Sequence, residues 1–349
     1  MKKKVIFFLP SRCGGAERVS ATISKILSND DFEVVYHLFG PINQMEEFLS
    51  ADRISVWHKQ AKNVTNLISE VRRIVKEEKP DIVFSSLMPY NWRIALATLG
   101  LPCKVIFRSN NYIYTQSFFQ KLRLAFAYRR ADIIIAQTEE MREGIIKKLF
   151  ISEKKVITLA NPIDEDYINQ KLLNVKSPYH EDCLNFVSIG RFHKVKGFDI
   201  LIKAFAKVIK EKPNAVLYLV GHYNDNPQYF NLIMNLISEY QLQDKIKIEG
   251  FQNNPYKYMK FADCYVLSSR LEGLPNVLIE ALYTGTPVAA TTCVPVISRI
   301  VDNGVNGFLA RKEDPDSLAE AMIKASGLGR IQSTYVQCSK QSFMDLFME

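Results

Sequence analysis

Glu272 and Glu280 lie on either side of a Gly273-Leu274-Pro275 turn. The stretch before them, Asp263-Cys-Tyr-Val-Leu-Ser268, is short and apolar and reads as a buried parallel strand. Pro275 stands where a helix takes its first residue, the helix runs to about Tyr283, and Gly285 is placed to stop it. A strand, a tight loop and a helix start in this order make an anion site, because free backbone N–H groups and the helix dipole converge there. A carboxylate repels a phosphate. Two carboxylates beside such a site are useful only if they accept hydrogen bonds from neutral hydroxyls, two at once from a vicinal diol. A ligand with phosphates in the middle and a diol at each end is a nucleotide-sugar, with Glu280 on the ribose and Glu272 on the second sugar. The plainer reading stays open at this point: an exposed loop charge and a solvated helix position.

Two cations answer the same ligand. Leu184–Ile189 reads as a strand ending in Gly190-Arg191, and Lys196-Gly197 precedes a helix over 198–210. Arg offers a planar fork for phosphate oxygens and Lys a point charge. Together they can neutralise a departing diphosphate; apart from the Glu272/Glu280 loop they would be two surface cations, and His193 between them a loop residue. Near the start, Gly14-Gly15 follows an apolar strand and opens a helix marked by Val19, Ile23, Ile26 and Leu27, so the backbone there can approach a ligand closely. No Gly-x-Gly-x-x-Gly follows that strand and no Gly-x4-Gly-Lys-Ser/Thr occurs, which argues against a dinucleotide oxidoreductase or a P-loop enzyme. Asp164-Glu165-Asp166 is formally an Asp-x-Asp, but it falls in a polar connecting stretch.

Glu272-Gly273-Leu274-Pro275 with Glu280-Ala281, followed by Gly285-Thr286-Pro287-Val288, resembles the Glu-x7-Glu signature of retaining glycosyltransferases of family four. Gly190-Arg191 with Lys196-Gly197 matches that family's Gly-Arg…Lys-Gly motif, and the similarity runs along most of the chain. The resemblance implies an α/β architecture, the GT-B fold, with two Rossmann-like doubly wound parallel sheets facing across a cleft. It implies transfer of a sugar, with retention, from a nucleoside-diphosphate sugar (a UDP-sugar) to a lipid-linked or cell-envelope glycan. Neither a metal nor another cofactor is expected. Glu272, Arg191 and Lys196 would be catalytic. Glu280, Gly273, Leu274, Pro275, Gly190 and Phe251, the last in the loop that grips the nucleobase, would hold the donor. Gly14, Gly15, Arg108, Ser109 and Asn110 would form an acceptor and phosphate loop.

Two stretches depart from the family pattern. Arg108-Ser109-Asn110-Asn111 occupies the place where members often carry a His that bonds the donor sugar, and Ser109 or Asn110 could supply that contact. Cys293-Val-Pro-Val-Ile-Ser-Arg299 stands where a Gly-Gly and an acidic residue are usual. A nucleotide-sugar epimerase of the same fold, or a noncatalytic nucleotide-sugar-binding partner protein, shares much of the pattern.

The elements that must position these groups alternate regularly. Strands at 34–39, 81–85, 104–107, 132–137 and 155–159 interleave with helical stretches, one of them marked by Val64, Leu67, Ile68, Val71, Ile74 and Val75. The alternation restarts at Leu184 and adds strands at 215–220, 245–250 and 263–268, then a helix over 314–326. The divisions expected are 1–163 for the acceptor, 164–183 as a linker, 184–327 for the donor, and a tail at 328–349 that carries Phe343, Leu346 and Phe347 and that, as the resemblance implies, packs back on the first domain.

Charge is uneven along the chain. Residues 1–160 carry 25 Lys and Arg against 16 Asp and Glu, while residues 161–349 carry 20 against 21. A basic first half suits a polyanionic partner, here an anionic membrane surface or a lipid-linked phosphate. Ser117–Arg130 mixes aromatic and basic residues, with Phe118, Leu122, Ala125 and Phe126 on one possible face of an interfacial helix; a core-facing helix with a solvated basic side fits the same residues. A nucleic-acid partner is not expected, since helix-turn-helix, stacking-platform and zinc spacings are missing. The opening Met-Lys-Lys-Lys-Val-Ile-Phe-Phe-Leu-Pro reads as a first strand rather than a signal peptide, and no apolar run reaches the ~20 residues of a membrane span. Six scattered cysteines suit reduced thiols in the cytoplasm, so the expected location is cytoplasmic, peripheral at the inner face of the membrane.

Overall fold

A computed structural model describes residues 2–10, 14–27, 30–39, 48–49, 54–57, 64–332 and 340–349; Cys13 and Cys338 lie outside them. The chain divides into two compact units, Met1–Ile163 with Gln337–Glu349, and Asp164–Val336.

The first unit holds a parallel sheet of β1 (Lys3–Pro10), β2 (Phe32–Phe39), β3 (Ile54–Trp57), β4 (Ile82–Ser85), β5 (Lys104–Ser109), β6 (Ile133–Ala136) and β7 (Val156–Thr158), in the order β3-β2-β1-β4-β5-β6-β7. Its strands are apolar runs rather than alternating ones because helices cover parallel sheets on both faces. Helices α1 (Gly15–Leu27), α2 (Val64–Glu78), α3 (Met88–Ala97), α4 (Phe118–Arg130) and α5 (Glu139–Leu149) supply that cover. In α2, Leu67, Val71, Ile74 and Val75 are buried, as the helical spacing of the apolar residues requires. Ser117 starts α4 with a capping box, its hydroxyl accepting from the Gln120 N–H while the Gln120 side chain accepts from the Ser117 N–H.

The second unit opens with α6 (Glu165–Lys171). Its sheet runs β10-β9-β8-β11-β12-β13, all parallel, from β8 (Leu184–Ile189), β9 (Ala215–Val220), β10 (Ile246–Gly250), β11 (Cys264–Leu267), β12 (Val288–Thr291) and β13 (Gly307–Ala310). Around it lie α7 (Phe198–Glu211), α8 (Pro227–Glu239), α9 (Tyr256–Phe261), α10 (Asn276–Tyr283), α11 (Ile297–Ile300) and α12 (Pro315–Ser326). Phe198, Leu201, Ile202, Phe205 and Val208 of α7 pack into the same core as Leu318, Met322 and Ala325 of α12. The stretch 164–183 is more than a tether. Asp164 caps α6 by accepting from the Tyr167 N–H, and the Asn254 amide donates to the Lys171 carbonyl at 2.6 Å, which fastens α6 to the second unit. The acidic run there is therefore a helix start.

Helix α13 (Lys340–Met348) belongs to the first unit although it follows the second in the chain. Phe343, Leu346 and Phe347 enter the core with Val19, Ile23 and Leu27 of α1, and Phe347 lies near the rings of Phe7 and Phe84. No helix among the described residues is long and apolar enough to cross a membrane.

Candidate active site

Strand order reverses direction in the second sheet between β8 and β11, the place where open parallel sheets leave a crevice at their carboxyl ends. The loops that follow these two strands carry Gly190, Arg191 and Lys196 on one side and Glu272 on the other.

Glycine fixes how closely the loops pack. A Cβ on Gly221 would lie 1.9 Å from the Gly190 carbonyl oxygen, and Gly221 has φ 149°, so the loops after β8 and β9 approach this closely because position 221 has no side chain. Gly197, at φ 68°, opens α7 where a Cβ would lie 2.0 Å from the Ser268 carbonyl oxygen. This contact presses the turn Lys194–Lys196 against the end of β11, and the Ser268 hydroxyl donates to the Lys196 carbonyl at 2.9 Å. His193 caps that turn, its Nδ1 accepting from the Val195 N–H.

The Lys196 ammonium donates to Glu272 Oε1 at 2.7 Å, and the Ser269 hydroxyl donates to the same oxygen at 2.6 Å. The Lys196 methylenes pass beside Gly190, whose missing Cβ would lie 3.4 Å from them. Behind the pair sits Tyr265, fully buried, its hydroxyl 3.5 Å from the Ile189 carbonyl at the end of β8. Burial raises the Tyr265 phenol, and the negative charges of Glu272 and then Glu280 raise it further. Glu280 lies on α10 and is 6% exposed, so the picture of a solvated helix position does not hold. Arg191 is exposed at the same edge. The structure thus brings Lys196 and Glu272 into contact, with Gly190 beside the Lys196 methylenes. Tyr265 and Ser269 were not singled out from the sequence; Tyr265 meets a neighbouring strand, and Ser269 bonds Glu272 within the same loop.

Pro275 takes the position before the first helical residue rather than that residue itself, since its ψ of 86° is not helical. Gly273 is half-buried in the turn and Leu274 is buried beneath it. Helix α10 ends where Gly285, at φ 80°, gives its N–H to the Leu282 carbonyl. Phe251 is exposed after β10 and stacks on His222 from the loop after β9, centroids 4.3 Å apart and planes 14° apart. His222 was not singled out from the sequence, and together the two stacked rings form an aromatic shelf. Cys293 is buried; burial, then the Glu272 charge, pushes its thiol up to about 12.

In the first unit Gly14 precedes α1 and its carbonyl accepts from the Arg18 N–H, with Gly15 the first helical residue. Arg108, expected on a phosphate loop, is instead 1% exposed at the end of β5. Its guanidinium donates to Asn110 Oδ1 at 2.6 Å and to Asn161 Oδ1, and the Gln137 amide donates to Asn110 Oδ1 at 3.1 Å. The Asn110 amide nitrogen in turn donates to the Ser86 carbonyl. Burial pulls the Arg108 guanidinium down to about 9. Arg108 works from behind Ser109 and Asn110, fixing which way the half-buried Asn110 amide points. Among the described residues no group of three or more His, Cys, Asp or Glu side chains is placed to hold a metal ion.

The model of glycosyl transferases group 1 matches residues 170–341, and that of glycosyltransferase family 4 matches residues 13–167. An uncharacterized glycosyltransferase of Methanocaldococcus jannaschii is 30% identical over 270 residues, 70% of this chain and 65% of the relative. The N-acetylgalactosamine-N,N'-diacetylbacillosaminyl-diphospho-undecaprenol 4-alpha-N-acetylgalactosaminyltransferase of Campylobacter jejuni is 27% identical, covering 92% of this chain and 89% of its own. Among solved structures, Anabaena HepE in complex with UDP-glucose covers 99% of both chains at 19% identity, with a TM-score of 0.79. With both units matched and the Lys196–Glu272 pair at the turning point of the second sheet, the chain belongs to the group 1 and family 4 glycosyltransferases and has their GT-B fold.

Proposed function

We propose that the chain moves a sugar from a UDP-sugar to a hydroxyl of a lipid-linked or cell-envelope glycan, with retention at the anomeric carbon and without a metal ion. The observation that carries this reading is the Lys196–Glu272 contact at 2.7 Å, with Arg191 on one side and the start of α10 on the other. An ammonium for phosphate and a carboxylate for hydroxyls stand here at a spacing that suits the junction of the two in a sugar diphosphate. A bound diphosphate competes for Lys196, which frees Glu272 to accept from hydroxyls of the transferred sugar. Glu280 accepts from the ribose diol, and the His222–Phe251 shelf meets the base. The UDP donor is supported by HepE, solved with UDP-glucose, and the lipid-linked acceptor by the Campylobacter relative, whose name carries a diphospho-undecaprenol.

In the reaction the bond from the anomeric carbon to the phosphate oxygen breaks with its electron pair going to the phosphate. The acceptor oxygen bonds to the same face of that carbon, and its proton passes to the departing phosphate oxygen. Arg191, Lys196 and the amides at the start of α10 stabilise the charge that develops on the diphosphate. Gly14, Gly15, Ser109 and Asn110 are our candidates for the acceptor side, with Arg108 holding Asn110 in place.

A membrane contact through the basic first unit completes the reading, in a protein of the cytoplasm docked at the inner face of the membrane. Phe118, Phe119, Leu122 and Phe126 are exposed on α4, at 69, 71, 53 and 41%, whereas Ala125 is buried and leaves the face on which it was expected. The Arg123 guanidinium lies over Trp92 at 5.4 Å, beside that of Arg93 at 4.9 Å. Exposed rings among cations suit an anionic bilayer interface. Flotation should recover the protein with vesicles of anionic lipid in preference to neutral ones, and equal recovery from both would remove this part.

The test of the main reading is transfer from a panel of UDP-, GDP- and ADP-sugars to a polyprenyl-diphosphate glycan, run on the intact protein and on Arg191→Ala, Lys196→Ala and Glu272→Ala. Loss of one such group should cost on the order of 10²–10³ in rate. Full turnover in all three variants would end the assignment.

A further inference from the structure

The loop from β11 to α10 begins Ser268-Ser269-Arg270-Leu271-Glu272. Arg270 Nη1 and Nη2 donate to the two Asp199 oxygens, both at 2.7 Å. Its Nε donates to Glu313 at 2.7 Å, Nη1 also to the Lys194 carbonyl at 2.8 Å, and the backbone N–H to the Val195 carbonyl at 2.7 Å. Asp199 lies in the first turn of α7 and also accepts from the Tyr229 hydroxyl of α8 at 2.6 Å. Glu313 lies in the loop after β13, in the left-handed conformation at φ 62°. One guanidinium therefore ties together the loops that follow β8, β11 and β13. The guanidinium holds the Lys194 carbonyl, two residues before Lys196, and Glu272 is two residues along the chain from Arg270 itself.

We propose that Arg270 is a positioning residue for the donor: it fixes the distance between Lys196 and Glu272 and does not touch substrate. The inference rests on the reading of those two groups given above. Lys196 reaches Glu272 through a flexible side chain, and the pair is partly open to water, at 25 and 12% exposure, so it cannot by itself hold the two loops in register. None of Arg270, Asp199 and Glu313 belongs to the apolar core of this unit. A Lys at position 270 could satisfy one of these partners at a time, because only the planar fork spans a bidentate carboxylate, a second carboxylate and a carbonyl together.

The decisive variants are Arg270→Lys and Asp199→Asn, each compared with the unaltered protein for its melting temperature, its affinity for UDP, its steady-state transfer and the hydrogen exchange of residues 264–283. Displacement of a group by about 1 Å costs on the order of 10² in rate. Arg270→Lys should therefore fold and lose about that much in kcat while its affinity for UDP falls less than about tenfold. Exchange across 268–275 should quicken, and Asp199→Asn should fall between the two. An unchanged exchange pattern, or a rate loss that only tracks the unfolded fraction, overturns the proposal. If the unaltered protein transfers no sugar and binds no UDP, the reading of the site has failed; the exchange of the ligand-free loop in Arg270→Lys still decides whether Arg270 sets its geometry.

Discussion

Burying a guanidinium among amides leaves its charge to be met by carbonyl oxygens, and Arg108 is such a case: it donates to the side-chain oxygens of Asn110 and Asn161. A Lys at 108 would bring fewer donors and give up its proton far more readily, leaving buried amide oxygens unmet, so Arg108→Lys should lower stability by about 2–4 kcal/mol in urea unfolding. Asp199 makes a second residue-scale case. Burial raises its carboxyl, but the hydrogen bonds from Arg270 and Tyr229 outweigh that and hold it below its ordinary 3.8. The unfolded chain therefore takes up this proton first as pH falls. The stabilisation is complete above 3.8 and is lost as pH drops through the folded value, so the gap in melting temperature between the unaltered protein and Asp199→Asn should narrow on acidification. Glu272 with Glu280, and Arg191 with Lys196, could be singled out in the sequence as candidates because each pair is close along the chain. Arg270 and Tyr265 could not. Arg270 meets Asp199 across 71 residues, and only the fold brings such partners together.

At the scale of elements, periodicity was a sound guide where a single face is buried, as in α2 and α7, and a poor one where a helix carries apolar residues all round. Helix α4 is of the second kind: it buries Leu124, Ala125, Ala127 and Tyr128 and leaves its larger rings outside, an arrangement that spacing alone does not select. The loops follow a different logic. Gly197 was visible as a helix start, but its service to the site, letting the Lys196 turn press on the Ser268 carbonyl, depends on a strand far along the chain. Gly197→Ala would add a Cβ where a backbone oxygen already lies, at a left-handed φ. We expect a loss of about 3 kcal/mol in denaturant unfolding, and with it a weaker response to UDP in thermal shift. Pro275 shows the limit of boundary rules, since turn geometry, not the residue type alone, decided where α10 begins.

At the scale of the molecule, two parallel sheets were readable from the alternation of strands and helices, and the uneven charge from composition alone. The assignment of α13 to the first unit rests on three buried apolar residues that a short tail barely announces. Phe347→Ala should cost about 3–5 kcal/mol and lower the melting of the first unit while leaving the second nearly unchanged, which calorimetry with unit-specific exchange would resolve. That helix has a consequence for synthesis. Residues 340–348 leave the ribosome only after the whole of the second unit, so the earlier-made unit must wait, one wall of its interior missing, while the later-made one can already settle. During that delay the apolar patch beside α1 that Phe343, Leu346 and Phe347 later cover stays open to water.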